Sequence, residues 1–513
     1  MTQQHHHFSK WRAFFWPIHN YEMKKFMPLA FIMFCLLFNY TMLRDIKDTL
    51  VVNSAGASMI PFLKLYCVTP AAVLFVVLYI KLSNAFDREN LFYVIVTPFL
   101  IFFGLFGFLI YPNVEMFHPA VEHVAELHKQ YPNFSGFIDI YGYWTYSLFY
   151  VMAEIWGSAM VSLLFWQFAN QVTRMTEAKR FYGLFAVIGN IGLIFSGQAE
   201  HYFNDVRNFA SPDVADPYLI SLKYLMTTVV LMGVGSMLTY RWMHKVVLTN
   251  PVYYDESEMS GNKSSGKKKK KPGLMESAKI IFTSPELGLI AILIIAYGVS
   301  INLAELQWKH QLKLFYAGDK NGYNSFMGNY STFVGIFTIL FILGIGNNVL
   351  RALSWFGAAV ITPLMTLLGG SVFFMFILGR DGMMEMISSM KFTPIAAAAF
   401  LGAAIIMLSK AIKYSLFDPT KEMAYIPLDE ELKSKGKAAV DVLGGRIGKA
   451  GGAFVQQAMF IALATKDVIA IAPYTFGIFA IVCVMWLVAV KALSKRVNLA
   501  MKKKNDELKA AQA

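Results

Sequence analysis

Residues 143–170 read YWTYSLFYVMAEIWGSAMVSLLFWQFAN, a stretch that is apolar almost throughout. At about 1.5 Å per residue, a helix of this length crosses a hydrocarbon layer of roughly 30 Å with some tilt. One carboxylate, Glu154, lies near its middle. Steps of three and four from Glu154 reach Tyr143, Ser147, Tyr150, Ser158 and Ser162, so one helix face is polar. An unpaired charge at mid-membrane costs on the order of 2.5–3.5 kcal/mol even on a lenient scale. A carboxylate kept there needs a watery path or a partner charge, and the expectation is a site on a solute pathway.

The rest of the chain repeats this pattern. Of its 513 residues 56% are hydrophobic and only 15% charged, and the mean hydropathy is +0.47. Soluble domains do not carry repeated apolar runs of about 20 residues, and a transmembrane barrel shows ten-residue alternating segments instead. The fold class expected is an all-α polytopic membrane protein. Twelve spans are predicted, at about 26–43, 61–81, 91–111, 143–170, 181–201, 219–240, 280–304, 326–346, 353–379, 393–414, 449–465 and 468–491. The eleventh is short and glycine-rich. The first apolar run is followed by no small-residue cleavage site, so no cleaved leader is expected. Cys35, Cys67 and Cys483 form no CxxC pair or disulfide framework.

Residues 1–25 mix Trp and Phe with Lys and Arg, which suits a segment lying at the membrane surface. Residues 244–278 are Ser/Gly-rich and basic, with five lysines at Lys267–Lys271. They read as a cytoplasmic linker between six-helix bundles at 26–243 and 279–494, with a cytoplasmic tail at 495–513. The loops at 112–142 and 200–218 are acidic, whereas 171–180, the linker and the tail are basic. This alternation places both termini in the cytoplasm. The loop at 307–325, with Lys309, Lys313 and Lys320, breaks the rule and is expected to do something other than set topology. The net charge of +13 reads as this loop bias plus attraction for an anionic solute, and nucleic acid is not expected as a partner.

Charge stands where the hydrophobic pattern forbids it at Arg44, Asp45, Lys47 and Asp48, at Glu154, at Glu305, and at Arg446 and Lys449, with Lys410 and Lys413 at the foot of span ten. Cations outnumber acids, and a multiply charged anion such as a di- or triphosphate would restore balance. Lys47, Lys449, Arg44 and Arg446 are the phosphate-binding candidates, and Glu154 and Glu305 the carboxylates that partner the lysines. Tyr146, Tyr150, Asn170 and Asn302 are candidates for lining the site and contacting a base. GGRIGKAGG (444–452) lacks the spacing and the Ser/Thr of a phosphate-binding P-loop. No nucleophile–base–acid set or metal-ligand cluster is visible, so no enzymatic activity, cofactor or metal is expected.

In LRDIKDTLVV (43–52), MAEIWGSAMVSLLFWQFAN (152–170), EAKRFYGLF (177–185), AYGVSINLAELQWK (296–309), KYSLFDPTKEMAYIPLD (413–429) and GKAAVDVLGGRIGKAGGAFVQQ (436–457), the sequence resembles the ATP/ADP translocases of intracellular bacteria and plastids. The resemblance runs over nearly the whole chain. It implies twelve helices in a major-facilitator-like architecture, in a bacterial inner membrane, as a monomer. It also implies exchange of cytoplasmic ADP plus phosphate for external ATP, and maps that family's lysine–glutamate quartet onto Lys47, Glu154, Glu305 and Lys449. Leu306-Gln307 before Trp308, and Ala450 after Lys449, depart from the family pattern without removing a quartet member. A proton-coupled importer of a broader range of nucleotides is the alternative activity. A receptor or structural membrane protein is the alternative class.

Overall fold

The computed structural model describes residues 16–205, 216–250, 284–379, 393–425 and 444–512, with a few isolated positions between them. The lysine run of the linker and the loop residues Arg207 and Asp213 lie outside the described residues. The described chain is helical, with no strand among its elements. Eleven helices are long and apolar enough to cross a membrane: α1 Asn20–Ser54, α2 Met59–Ala85, α3 Glu89–Phe117, α4 Trp144–Val172, α5 Arg180–Asp205, α6 Pro217–Val247, α7 Pro285–Tyr316, α8 Lys320–Gly344, α9 Trp355–Leu378, α10 Pro394–Tyr425 and α12 Ala472–Leu499. The remaining expected span is α11, Gly445–Ala462. It is helical, but Arg446, Lys449, Gln456, Gln457 and four glycines make it too polar to stand out by composition. It lies in the bundle against α7, where the helices meet at glycine. A Cβ on Gly298 would come 2.9 Å from the Cα of Gly448, and one on Gly452 would come 2.8 Å from the Cβ of Asn302.

Two sequence-based boundaries move. α1 runs on to Ser54 instead of ending near 43, and α7 runs to Tyr316 instead of 304. Hydropathy falls at the first charged residues, yet the backbone stays helical because those charges find partners inside. Arg44–Asp48 and Lys309 are therefore intrahelical. The turn after α7 is closed by Ala317 and Gly318, at φ 45° and φ 92°, the left-handed geometry common just past a helix end.

Among the first six helices, α1 packs on α4, α5 and α6, and α3 on α6. Among the last six, α7 packs on α10, α11 and α12, and α9 on α10 and α12. The most extensive contact between these sets is α5 against α8. Ion pairs Arg180–Glu22 and Arg496–Glu286 mark one rim, here called proximal. Lys466–Asp139 and the hydrogen bonds Tyr111–Asp216 and Lys320–Tyr111 mark the opposite, distal rim.

Helix α4 is not one regular helix. After Trp156 it widens into π-helical turns over Gly157–Phe165, a feature common where a helix serves a site. Gly157 is required there, since a Cβ would overlap the ring of Tyr40 on α1. The widened turns break the regular stepping from Glu154 to Ser158 and Ser162. The polar stripe expected for this helix is unevenly buried along its length. Ser147 is buried and donates to the carbonyl of Tyr143 at 3.0 Å, Tyr150 is fully buried, and Ser158 and Ser162 are exposed.

Candidate functional site

The site is a set of buried charges where α1 and α4 meet α7, α10 and α11. Lys47 Nζ lies 2.9 Å from Asp48 Oδ1 and 2.9 Å from Glu154 Oε1, and 3.9 Å from the ring centre of Tyr150. The second oxygen of Asp48 meets Lys309 Nζ of α7 at 2.9 Å. Glu154, Lys47, Asp48 and Lys309 thus form an alternating chain of charge that crosses between the two sets of helices. Buried charges are tolerated in such an alternation, because each loses water but gains an opposite neighbour and its hydrogen bonds. The side chain of Glu154 is 27% exposed, those of Lys47 and Asp48 3%, and that of Lys309 7%. The chain is partly exposed at Glu154 and buried at its α7 end.

Glu305 partners neither Lys47 nor Lys449, the lysines that the sequence reading gave to the two carboxylates. It meets Lys410 Nζ of α10 at 2.9 Å. The face of α7 that carries Glu305 also carries Trp308, whose indole N–H donates to Ala399 O of α10 at 2.9 Å, so this face turns towards α10. The Lys449 side chain is exposed, with Glu154, Glu305, Tyr40 and Tyr414 within electrostatic reach. It makes no ion pair with a carboxylate among the described residues. Arg446, one turn earlier on α11, is likewise exposed.

Arg44 is engaged elsewhere. Its Nε donates to Asp45 Oδ1 at 3.2 Å and its NH2 to Ser331 Oγ of α8 at 2.8 Å, and Ser331 donates in turn to Asp45. This is one of a series of bonds between the two sets of helices, which also includes Thr49 to Asn324 at 2.8 Å and Gln457 of α11 to Tyr66 of α2 at 2.6 Å. These bonds run from mid-span to the distal rim. They join the sets there, while the exposed Lys449 and Arg446 lie towards the proximal end.

The residues expected to contact a base are not gathered into one surface. Tyr146 packs near the distal rim against Tyr111 and His118. Tyr150 is covered by Lys47. Asn170 is at the proximal end of α4, accepting from the Tyr182 hydroxyl. Asn302 Oδ1 accepts from Lys64 Nζ of α2 at 2.7 Å, while its Nδ2 donates to Gly298 O at 2.8 Å. The tyrosines that do face the charges include Tyr40 and Tyr414, the latter 49% exposed. Tyr40 stands four residues before Arg44 and seven before Lys47, so helical spacing alone could have shown it. Lys64, Lys309 and Asp48 are likewise site residues that the sequence reading left unassigned.

A family model described as "TLC ATP/ADP transporter" matches residues 1–497. The chain belongs to the TLC ATP/ADP transporter family. It is 45% identical over 501 residues to ADP,ATP carrier protein 1 of Rickettsia bellii, covering 97% of this chain and 98% of that one. Against ADP,ATP carrier protein 1 of Chlamydia pneumoniae the figures are 44% over 491 residues, 95% and 94%. This is a family of transporters, not of enzymes. In fold, the chain resembles a bacterial homologue of the iron transporter ferroportin, with a TM-score of 0.56 at 11% identity over 92% of this chain and 100% of that one. It also resembles a D-xylose–proton symporter, with a TM-score of 0.53 at 12% identity over 92% and 97%. The all-helical, major-facilitator-like membrane architecture expected for the TLC family is thus the one observed.

Proposed function

We propose that this protein is an alternating-access antiporter that brings external ATP into a bacterial cytoplasm in exchange for ADP and phosphate, as a monomer in the inner membrane. The observation that carries this reading is the charge of the site. Among the described residues, the six cations Arg44, Lys47, Lys64, Lys309, Lys410 and Lys449 face five carboxylates, Asp45, Asp48, Glu154, Glu200 and Glu305, in a chain whose relatives are ADP,ATP carriers. A polyphosphate supplies the missing negative charge and accepts charge-assisted hydrogen bonds.

The helices on either side of this site, 26–243 and 279–494, act as two bodies that rock about it. The loop-charge bias puts both termini in the cytoplasm, so the distal rim faces outward and the described state is closed to the outside. Lys449 and Arg446 meet the phosphates entering from the inside. Lys47 exchanges Glu154 for phosphate. Arg44 acts on the outer closure, through Asp45 and Ser331. The base lies against Tyr40 and Tyr414.

The test is uptake of labelled ATP into proteoliposomes of the full chain. Uptake that is fast with internal ADP and slow without it supports antiport; equal rates in empty vesicles refute it.

A further inference from the structure

Helix α2 is the least buried of the spans. Near its distal end the backbone forms π-helical turns over Leu63–Val68. These carry Lys64, whose half-buried side chain enters the charged site. Its charged surroundings include Glu154 and Glu305, Lys47 and Lys309. Both glutamates are engaged by other lysines, Lys47 and Lys410. Among the described residues, the hydrogen-bond acceptor for the Lys64 ammonium is the neutral Asn302 Oδ1, at 2.7 Å. Among the described residues, no carboxylate lies within ion-pair distance of it.

Asn302 cannot easily turn away. Its Nδ2 is committed to Gly298 O at 2.8 Å, its carbonyl accepts from Gln456 Nε2 at 2.9 Å, and α11 packs on it at Gly452. The amide oxygen is therefore held out as a fixed acceptor. It orients Lys64 without neutralising it. An ammonium among other ammoniums, positioned by a neutral group, is arranged for an incoming anion.

We propose that Lys64 is a third phosphate-binding lysine, beside Lys47 and Lys449, and that Asn302 is its positioning residue rather than a contact for the base. This deepens the nucleotide-exchange reading and rests on it for the identity of the substrate, a nucleoside di- or triphosphate. Because Lys64 belongs to the first six helices and Asn302 to the last six, a phosphate that draws Lys64 off Asn302 also breaks a bond holding the two sets together.

The experiment uses the full chain in proteoliposomes, with inorganic tripolyphosphate as a competitor that has the phosphates and no base. Lys64→Gln is expected to raise the KM for ATP and the inhibition constant of tripolyphosphate by the same factor, about 10- to 100-fold for one charge-assisted hydrogen bond. Lys64→Arg is expected to stay within about threefold of the wild type, since it keeps the charge. Asn302→Asp gives Lys64 an internal anion and is expected to weaken tripolyphosphate without removing the lysine. The readout for variants that do not transport is stabilisation of the purified protein by tripolyphosphate on heating. Unchanged tripolyphosphate affinity in Lys64→Gln, or in Asn302→Asp, overturns the proposal. If the wild-type protein exchanges no nucleotide but is stabilised by tripolyphosphate, and Lys64→Gln abolishes this, the phosphate site stands and the nucleotide reading falls.

Discussion

Asp48→Asn is the substitution that best separates a structural role of the charge chain from a transport role. Asp48 is held between Lys47 and Lys309, both at 2.9 Å. Asparagine keeps the shape and one acceptor but removes the charge. Lys47 still has Glu154 at 2.9 Å, so the group left uncompensated is Lys309. Breaking a buried ion pair by removing one partner costs about 3–5 kcal/mol. The lower end applies here, because the amide oxygen can still accept a hydrogen bond from Lys309. The loss falls on the distally closed state, where α1 and α7 are joined through this pair. At 1.4 kcal/mol per tenfold, 3 kcal/mol moves the ratio of closed to open by about 100-fold. A closed state favoured by less than that becomes the minority.

The assay is pulsed electron–electron spin resonance between labels at Gln130 and Ala470, exposed positions near the distal rim on opposite sides of the closure. The expected result is a new, longer distance population in Asp48→Asn. The double variant Asp48→Asn/Lys309→Gln removes both charges and is expected to return most of the short-distance population, since a neutral pair leaves no buried charge unpaired. A wild-type distribution in the single variant, or a double variant no more closed than the single, refutes the reasoning.

Gly197 of α5 faces Gly328 of α8 so closely that a Cβ on it would meet the Gly328 carbonyl. Gly197→Ala is expected to disfavour the closed state by about 1–3 kcal/mol, the usual cost of overpacking, seen as the same distance shift without any change of charge. Glu305→Gln leaves Lys410 without its carboxylate and is expected to lower thermal stability by about 3 kcal/mol, with Lys410→Gln added to it restoring stability but not ATP uptake; a single variant as stable as the wild type counts against the pair. In the distal cluster His128, Asp139 and Lys466 lie within 3.0 Å of one another's polar atoms. Burial and the neighbouring Lys466 hold His128 below its ordinary pKa of 6.5. The folded state therefore takes up this proton less readily than the unfolded one. The stability His128 contributes is complete above pH 6.5 and is lost as the pH falls towards the lowered value. Melting curves at pH 5.5 and 7.5 should show that loss in the wild type and less of it in His128→Gln.

The charges of the site were legible in the sequence, and their pairing was not. Glu154 and Lys47 stand out because mid-membrane charge is costly, and they do meet. Glu305 stands out for the same reason, but its partner depends on the rotation of α7, which Trp308 fixes against α10 through a bond that no local spacing reveals. Lys309 looked like a misplaced loop lysine because the hydropathy pattern ends span seven too early. It is a core residue whose charge is met by Asp48 from another helix. The regular stepping that predicts the polar face of α4 does not hold over Gly157–Phe165, because π-helical turns change the angle per residue, and nothing in apolar periodicity records that change. The base-contacting residues suffered from the same limit. Tyr146 and Asn170 share the helix with Glu154 but lie near its opposite ends.

The unpaired cations also explain why exchange, rather than one-way passage, is the expected mode. To turn its site from one side to the other, the protein must pass through a state closed at both ends, in which the site loses bulk water. Lys47, Lys309 and Lys410 carry their own carboxylates into that state. Lys64 takes an amide oxygen, and Lys449 is exposed, with Glu154 and Glu305 within electrostatic reach but with no ion pair to a carboxylate among the described residues. The effective penalty for an uncompensated buried ion is several kcal/mol, so the empty site closes rarely and the phosphate-filled site closes readily. Neutralising Lys449 should then relax the requirement for exchange while it weakens binding. In Lys449→Gln the ratio of ATP uptake with internal ADP to uptake without it is expected to fall towards one, measured at ATP concentrations above the raised KM. A ratio as large as the wild type's would show that the empty site is held back by something other than its unpaired charge.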